Sequence, residues 1–176
     1  MNLVIVCEDI QQLTFARRYL IERGVDPRRI RGEKPLKGVG SGEQFVRKHL
    51  MREVKVFRSK SSFQKSLVLV ALIDADTLSV QERLDQINWA LEQEGLERIQ
   101  PDEKIAIFIP KRNIETWIRY ANNRNIDENV AYPKLRKPRE CQTVVELYVN
   151  SICKDGLPND APSSLIHACK ELAKIL

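Results

Sequence analysis

The fold is decided by the stretch LVLVALIDAD, which runs from Leu67 to Asp76. Its first seven residues are aliphatic and do not alternate with polar residues, which is typical of a strand buried on both faces in a parallel sheet. Two similar runs, LVIVC at 3–7 and IAIFI at 105–109, predict two more strands of this kind. A weaker fourth strand is predicted near 29–32.

Amphipathic patterns fill the intervals between these runs and predict helices over 10–23, 41–58, 80–95 and 114–121. Because strands and helices alternate, the chain is expected to form an α/β fold: an open, mainly parallel sheet with helices on both faces, in three layers. A helical C-terminal tail follows. Ser41 and Gln44 are expected to cap the second helix, and Trp89 and Trp117 are expected in the core.

A chain of 176 residues that is 43% hydrophobic and 30% charged is expected to form one globular domain. Its core is predicted over 1–121, and residues 122–176 are predicted to add a loop and a helical extension packed on that core. The sequence offers neither an apolar run long enough to span a membrane nor a signal peptide. The expected location is therefore the cytoplasm, with no membrane partner.

The charge of the chain is unevenly distributed, although its net value is only +5. The 38 residues from Arg28 to Lys65 contain 12 lysines and arginines but 3 acids, whereas the remaining residues are acidic overall. Such an excess favours binding to a nucleic-acid backbone, DNA or RNA. The candidate contacts, most of them on the basic helix 41–58, are Lys37, Arg47, Lys48, Arg52, Lys55, Arg58 and Arg112.

Acidic side chains follow two of the predicted strands. Glu8 comes directly after the first, and Asp74 and Asp76 follow the aliphatic run that begins at Leu67. Residues i and i+2 of an extended chain point the same way, so the two aspartates are expected to aim at one point, with Glu8 beside them. Carboxylates crowded in this manner repel one another unless a cation joins them. Mg²⁺, or Mn²⁺ in its place, is the expected cofactor.

The third predicted strand is followed by charged residues of both signs. Lys111 and Arg112 are candidates to hold a phosphate, and Glu115 falls in the first turn of the next helix. An acid at that position is also favoured by the helix dipole alone. Because ligands bind at the carboxyl ends of parallel strands, Lys111 and Glu115 join Glu8, Asp74 and Asp76 as catalytic candidates.

Three segments together resemble the TOPRIM domain, the Mg²⁺-binding fold of topoisomerases, primases and related small nucleases. They are LVIVCE ending at Glu8, LVLVALIDAD ending at Asp76, and IPKRNIETW at 109–117. The last looks like a region of compact stand-alone TOPRIM proteins related to overcoming-lysogenization-defect nucleases, which often accompany an ATPase in phage defence. The resemblance covers roughly 1–121. It implies a general acid/base or ligand role for Glu8 and metal-ligand roles for Asp74 and Asp76.

The expected function is therefore that of a metal-dependent nuclease, a hydrolase that acts on nucleic-acid phosphodiesters. An ATPase encoded by a neighbouring gene is a candidate partner. A homodimer is also a possible state of the protein. One alternative is a non-catalytic subunit that binds nucleic acid or another protein. Another arises because IDADT, from Ile73 to Thr77, also fits the nucleophile motif of haloacid-dehalogenase-like phosphatases. A receiver-like phosphoacceptor would likewise use Asp74, with Lys111.

Overall fold

The structure is a computed structural model that describes residues 1–152, 157–158 and 161–176, so the predicted extension 122–176 is described in part. Strands and helices alternate along the chain, and short 3₁₀ segments precede the second strand and the fifth helix. The elements are β1 (Asn2–Cys7), α1 (Ile10–Glu22), β2 (Ile30–Glu33), α2 (Gly42–Ser61), β3 (Leu67–Leu72), α3 (Val80–Gln93), β4 (Ile105–Phe108), α4 (Ile114–Asn122), α5 (Gln142–Leu147) and α6 (Ser163–Leu172). A π-helical segment, Tyr148–Ile152, continues α5.

Within the described residues the sheet has four parallel strands in the order β2-β1-β3-β4. Cys7 pairs with Leu72, and Leu72 pairs with Phe108, so three strands end in one row. The chain leaves β1 towards β2 and then crosses to β3 on the other side of β1. The crevice between β1 and β3 is therefore the topological switch point, where open α/β sheets bind ligands.

Both faces of the sheet are buried, as the uninterrupted apolar runs predict. On one face, Leu3 and Ile5 of β1 pack with α1 and with side chains from α4, α5 and α6. On the other face, Val6 packs with α2 and α3. The α/β class, the open parallel sheet and the helices on both faces are thus confirmed, and the protein has the three layers of a Rossmann-like fold.

Side chains of α6 cover the outer edge of β4. The Glu171 carboxylate accepts a hydrogen bond from the Ile107 N–H at 2.9 Å, and the His167 ring lies 2.9 Å from the Ile107 carbonyl oxygen. A row of unpaired backbone groups at a sheet edge would otherwise invite another strand. Trp117 is buried in α4 and donates to Ser164 Oγ at the start of α6, which ties the C-terminal helix to the core.

Two local expectations are wrong. Ser41 is the N-cap residue of α2, but its side chain makes no capping hydrogen bond. Trp89 lies on the outer side of α3 and is 57% exposed, whereas Trp117 is buried as expected. Among the helices that the structure describes, none has the length and apolar character needed to cross a membrane.

Candidate functional site

Glu8 and Asp74 meet at the switch point, where they follow β1 and β3. The Glu8 carboxylate accepts a hydrogen bond from the Asp74 backbone N–H, with an Oε1–N distance of 2.8 Å. Gln12, buried in α1, joins both residues: its Oε1 accepts from the Glu8 N–H at 2.9 Å, and its Nε2 donates to Asp74 Oδ1 at 2.8 Å. Gln12 in the first turn of α1 therefore links the Glu8 backbone to the Asp74 carboxylate.

The electrostatics of this pair favour an added positive charge. Burial, with the Asp76 charge as a further cause, raises the pKa of Glu8 to about 7. Burial and then the charges of Glu8, Asp9 and Asp76 raise the pKa of Asp74 well above its ordinary value. A cation at this point would remove the cost of ionising the two carboxyl groups, because opposite charge lowers a carboxyl pKa.

Asp76 lies nearby but not as the extended-chain pattern predicts. Its backbone has φ 57°, in the left-handed region, because the chain has already entered a turn after β3. The alternation of side chains in an extended strand therefore does not apply at Asp76. The Asp76 carboxylate is 56% exposed and lies 3.5 Å from the Arg83 guanidinium, which is buried in α3.

The carboxylate oxygens at this site suit Mg²⁺ or Mn²⁺ bound through two protein side chains. Among the described residues, no group of three or more His, Cys, Asp or Glu side chains is arranged to hold a metal ion. Mg²⁺, however, usually keeps several waters and binds through one or two protein carboxylates. Glu8 and Asp74 supply such a pair of oxygen donors. Asp76 is near enough to raise the pKa of both groups, while its own carboxylate lies 3.5 Å from the Arg83 guanidinium.

The three predicted site residues that follow β4 have different surroundings in the structure. Lys111 donates from Nζ to the carbonyl oxygen of Leu78, so it fastens the turn that follows Asp76. Arg112 is half-buried, and its Nε atom has no hydrogen-bond partner among the described residues. Glu115 is 2% exposed, and burial raises its pKa. The backbone N–H groups of Glu115 and Leu135 and the Lys134 charge lower this pKa in part, and the Asp9 charge raises it further.

Four further residues shape the site, and none of them stands out in the sequence as a site residue. They are Gln12, Arg83, Lys134 and Gly42. Lys134, from the loop after α4, forms an ion pair with Asp9, the N-cap residue of α1. A loop of this length is usually functional or disordered, but its length does not predict which residues it contacts. A basic or amide side chain within a helix is too common a pattern to reveal Arg83 or Gln12.

The predicted nucleic-acid contacts do not form one continuous basic face. Helix α2 begins beside Glu8 and runs towards the opposite edge of the sheet. At that edge Lys55 forms an ion pair with Glu94 at 3.0 Å, and Arg58 forms one with Glu103 at 2.7 Å. Arg52 is also paired, with Glu33 and Glu53, and Arg47 lies 3.6 Å from Glu43. Within the described chain, Lys37 and Lys48 are exposed and have no ion-pair partner. Cations available near the acidic pair therefore lie around the start of α2.

Gly42, the first residue of α2, packs directly on Glu8. A Cβ atom at Gly42 would lie 2.8 Å from both Cβ and the carbonyl oxygen of Glu8, closer than real contacts allow. We expect Gly42→Ala to lower the free energy of unfolding by about 1–3 kcal/mol, because such overpacking shifts the backbone. Urea unfolding measures this loss.

Ser41→Ala is the matched control for Gly42→Ala, at the neighbouring residue. Ser41 is exposed and makes no capping hydrogen bond, so we expect a change within about 0.5 kcal/mol. Equal losses in the two variants would mean that close packing on Glu8 is not what requires glycine.

Comparisons of this chain with protein-family models, with curated proteins and with solved structures found no match.

Proposed function

We propose that the protein is a metal-dependent nuclease-like enzyme that hydrolyses nucleic-acid phosphodiesters. One observation carries the proposal: two carboxylates, Glu8 and Asp74, are held together at the switch point of a parallel sheet, both with raised pKa values. Burying two neighbouring acids is costly without a compensating ligand, which favours a cation at this point. The resemblance to TOPRIM proteins leads to the same reaction class.

Glu8 and Asp74 would hold a divalent cation, and Asp76 would join them as a ligand only if its carboxylate left Arg83. The bound cation would supply charge stabilisation at a phosphoryl oxygen and a water of lowered pKa. Gln12 would orient the Asp74 carboxylate through the hydrogen bond it already makes. Glu8 would keep its backbone contact to Asp74. Its pKa of about 7 belongs to the metal-free protein, so Glu8 would release its proton when the cation binds.

Cationic side chains around the acidic pair would orient the phosphate backbone of the substrate. Lys37 and Lys48 are exposed near the start of α2. Arg112, which follows β4, has a buried Nε with no hydrogen-bond partner in the described part of the chain. Lys111 would act indirectly, because its ammonium group is bound to the Leu78 carbonyl and so holds the turn that carries Asp76. Arg52, Lys55 and Arg58 would contribute only if their present ion pairs opened.

The proposal includes a cytoplasmic location and an ATPase partner of the kind found in phage-defence systems. The ATPase partner is what the TOPRIM resemblance implies, and the location is the one expected from the sequence. The receiver-like alternative needs Lys111 beside Asp74, whereas its Nζ contacts the Leu78 carbonyl. The non-catalytic alternative shares the same surface and differs in whether a phosphodiester is cut.

The test is cleavage of plasmid DNA and of structured RNA with Mg²⁺ or Mn²⁺, by the chain alone and with the neighbouring ATPase. We expect cation-dependent cleavage that Asp74→Ala lowers by about 100-fold or more, because the substitution removes a metal ligand. Asp76→Ala should have a smaller effect, since this carboxylate is exposed and paired with Arg83.

Asp102→Ala is the matched control, because Asp102 is an exposed acid in the turn before β4, at the opposite edge of the sheet. This variant should cleave at the wild-type rate. Absence of cleavage by the wild type on every substrate, with and without the ATPase, would favour the binding subunit. Phosphate transfer from a small donor to Asp74 would instead support the phosphatase or receiver function.

A further inference from the structure

The guanidinium group of Arg83 lies where α3, the start of α2 and the turn after β3 meet. Arg83 belongs to α3 and is 3% exposed. Its Nη1 atom donates to Oε1 of Gln86 at 2.9 Å and forms an ion pair with Oε1 of Glu43, in the first turn of α2. Its Nη2 atom lies 3.4 Å from the carbonyl oxygen of Ala75. Three acceptors other than Asp76 therefore hold this guanidinium in place.

The Asp76 carboxylate is held much more loosely than the arginine it faces. It is 56% exposed, and its one ion pair in the described part of the chain is the 3.5 Å contact with Nη2 of Arg83. A contact of this length at an exposed carboxylate contributes little stability. If Asp76 left, Glu43 would still compensate the buried positive charge, which avoids the large cost of an unpaired buried ion. Asp76 can therefore leave Arg83 at low cost, while Arg83 stays in place.

The Asp76 carboxylate is also within electrostatic reach of the acidic pair at the switch point. Its charge raises the pKa values of Glu8 and Asp74, and the Arg83 charge lowers the pKa of Glu8. A cation held by Glu8 and Asp74 would therefore attract the same carboxylate that Arg83 now holds. Opening of the contact between Arg83 and Asp76 must then oppose the binding of the cation.

We propose that Arg83 is a positioning residue that competes with the divalent cation for the Asp76 carboxylate and thereby sets the affinity of the site. The inference rests on the proposed function, because the cation is the one that Glu8 and Asp74 would hold. Asp76 is then an exchangeable ligand, which pairs with Arg83 in the metal-free protein and leaves it when the cation binds. Arg83 keeps the affinity below the value that three free carboxylates would give.

The test is calorimetric titration of Mn²⁺ at pH 8 into the wild type, Arg83→Gln, Asp76→Asn and the double variant. Asparagine suits the left-handed backbone at position 76, where φ is 57°. We expect Arg83→Gln to bind Mn²⁺ at least about 5-fold more tightly than the wild type, because Asp76 is released. With Asp76→Asn already present, the gain from Arg83→Gln should be at least about 3-fold smaller.

The direction and the coupling of these effects separate the proposal from simpler roles of Arg83. If Arg83 only supported the fold, Arg83→Gln would loosen the site and weaken Mn²⁺ binding. If only its positive charge mattered, the gain in affinity would be the same with and without Asp76→Asn. Either result would overturn the inference.

Arg47→Gln is the matched control, because Arg47 lies 3.6 Å from the same Glu43 oxygen that Arg83 binds. Among the described residues, Arg47 forms no ion pair with Asp76. We expect the Mn²⁺ affinity of Arg47→Gln to stay within about 2-fold of the wild type. A gain as large as that of Arg83→Gln would assign the effect to the unpaired Glu43 carboxylate and would contradict the role of Asp76.

A second measurement does not depend on how Arg83→Gln folds. The ¹⁵N NMR signals of the Arg83 guanidinium are followed while Mg²⁺ is added to the wild type and to Asp76→Asn. We expect a larger shift in the wild type, because there the guanidinium loses a carboxylate partner as the cation binds. Equal shifts in the two proteins would overturn the inference.

The two proposals fail separately. A protein that shows the coupling between Arg83 and Asp76 but cuts nothing supports the role of Arg83 and contradicts the nuclease. A protein that cleaves with Mg²⁺ and shows no coupling supports the nuclease and contradicts the role of Arg83.

Discussion

Asp74→Asn is expected to make the metal-free protein more stable while it removes cleavage. The Asp74 carboxyl is destabilised by burial and by the charges of Glu8, Asp9 and Asp76, all of which raise its pKa. Asparagine has nearly the same shape, carries no charge and keeps an oxygen that can accept the hydrogen bond from Gln12. Sites kept for function commonly reduce stability, so a gain of about 0.5–2 kcal/mol is expected in urea unfolding with EDTA.

Cleavage by the same variant should fall by about 100-fold or more, since an amide is a poorer ligand for a hard cation than a carboxylate. Asp102→Asn, at an exposed acid far from the switch point, should change neither stability nor cleavage. A less stable Asp74→Asn protein that still cleaves would show that Asp74 serves the fold and not the reaction.

The second large expected effect is a dependence of the free energy of unfolding on pH. The pKa of Glu8 is raised from 4.5 to about 7, so the folded protein binds this proton more tightly than the unfolded chain does. Stability contributed by the protonated group is complete below about pH 4.5 and is lost as pH rises through about 7. A shift of this size corresponds to at most about 3 kcal/mol. The metal-free wild type should therefore have a lower free energy of unfolding at pH 8 than at pH 5.

Glu8→Gln removes this contribution, together with the part of the raised pKa of Asp74 that the Glu8 charge causes. Glutamine keeps the oxygen that accepts from the Asp74 N–H. The difference in unfolding free energy between wild type and Glu8→Gln should grow in favour of the variant from pH 5 to pH 8. The pKa values of three other acids, Asp26, Glu82 and Glu103, are lowered. Their contributions to stability therefore change below about pH 4.5, outside this window. A constant difference across the window would contradict a raised pKa at Glu8.

Much of the fold was predictable because its strands are buried on both faces. Uninterrupted aliphatic runs such as those of β1, β3 and β4 are typical of parallel strands, and the alternation with helices then requires parallel crossovers. Even the weak strand β2 lies at Ile30–Glu33, close to its predicted position. The meeting of Glu8 and Asp74 followed from the same rule, since the carboxyl ends of parallel strands share one edge.

What could not be predicted depends on turns and on contacts between distant residues. The left-handed backbone of Asp76 is a property of the turn after β3, so the alternation expected for an extended strand does not apply to this side chain. The ion pairs of Lys55 and Arg58 involve acids about 40 residues away, so a charge count could not show that these cations are already neutralised. The position of Lys134 beside Asp9 depends on a long loop with no periodic pattern.

The central claim, that Glu8 and Asp74 hold a divalent cation, is tested most directly by calorimetric titration of Mn²⁺ at pH 8 into the wild type, Glu8→Gln, Asp74→Asn and Asp102→Asn. At this pH both carboxyl groups can release their protons to the buffer as the cation binds. We expect saturable binding by the wild type and Asp102→Asn, and affinity about 10-fold or more weaker in the other two variants. Equal Mn²⁺ affinity in all four proteins would contradict the claim.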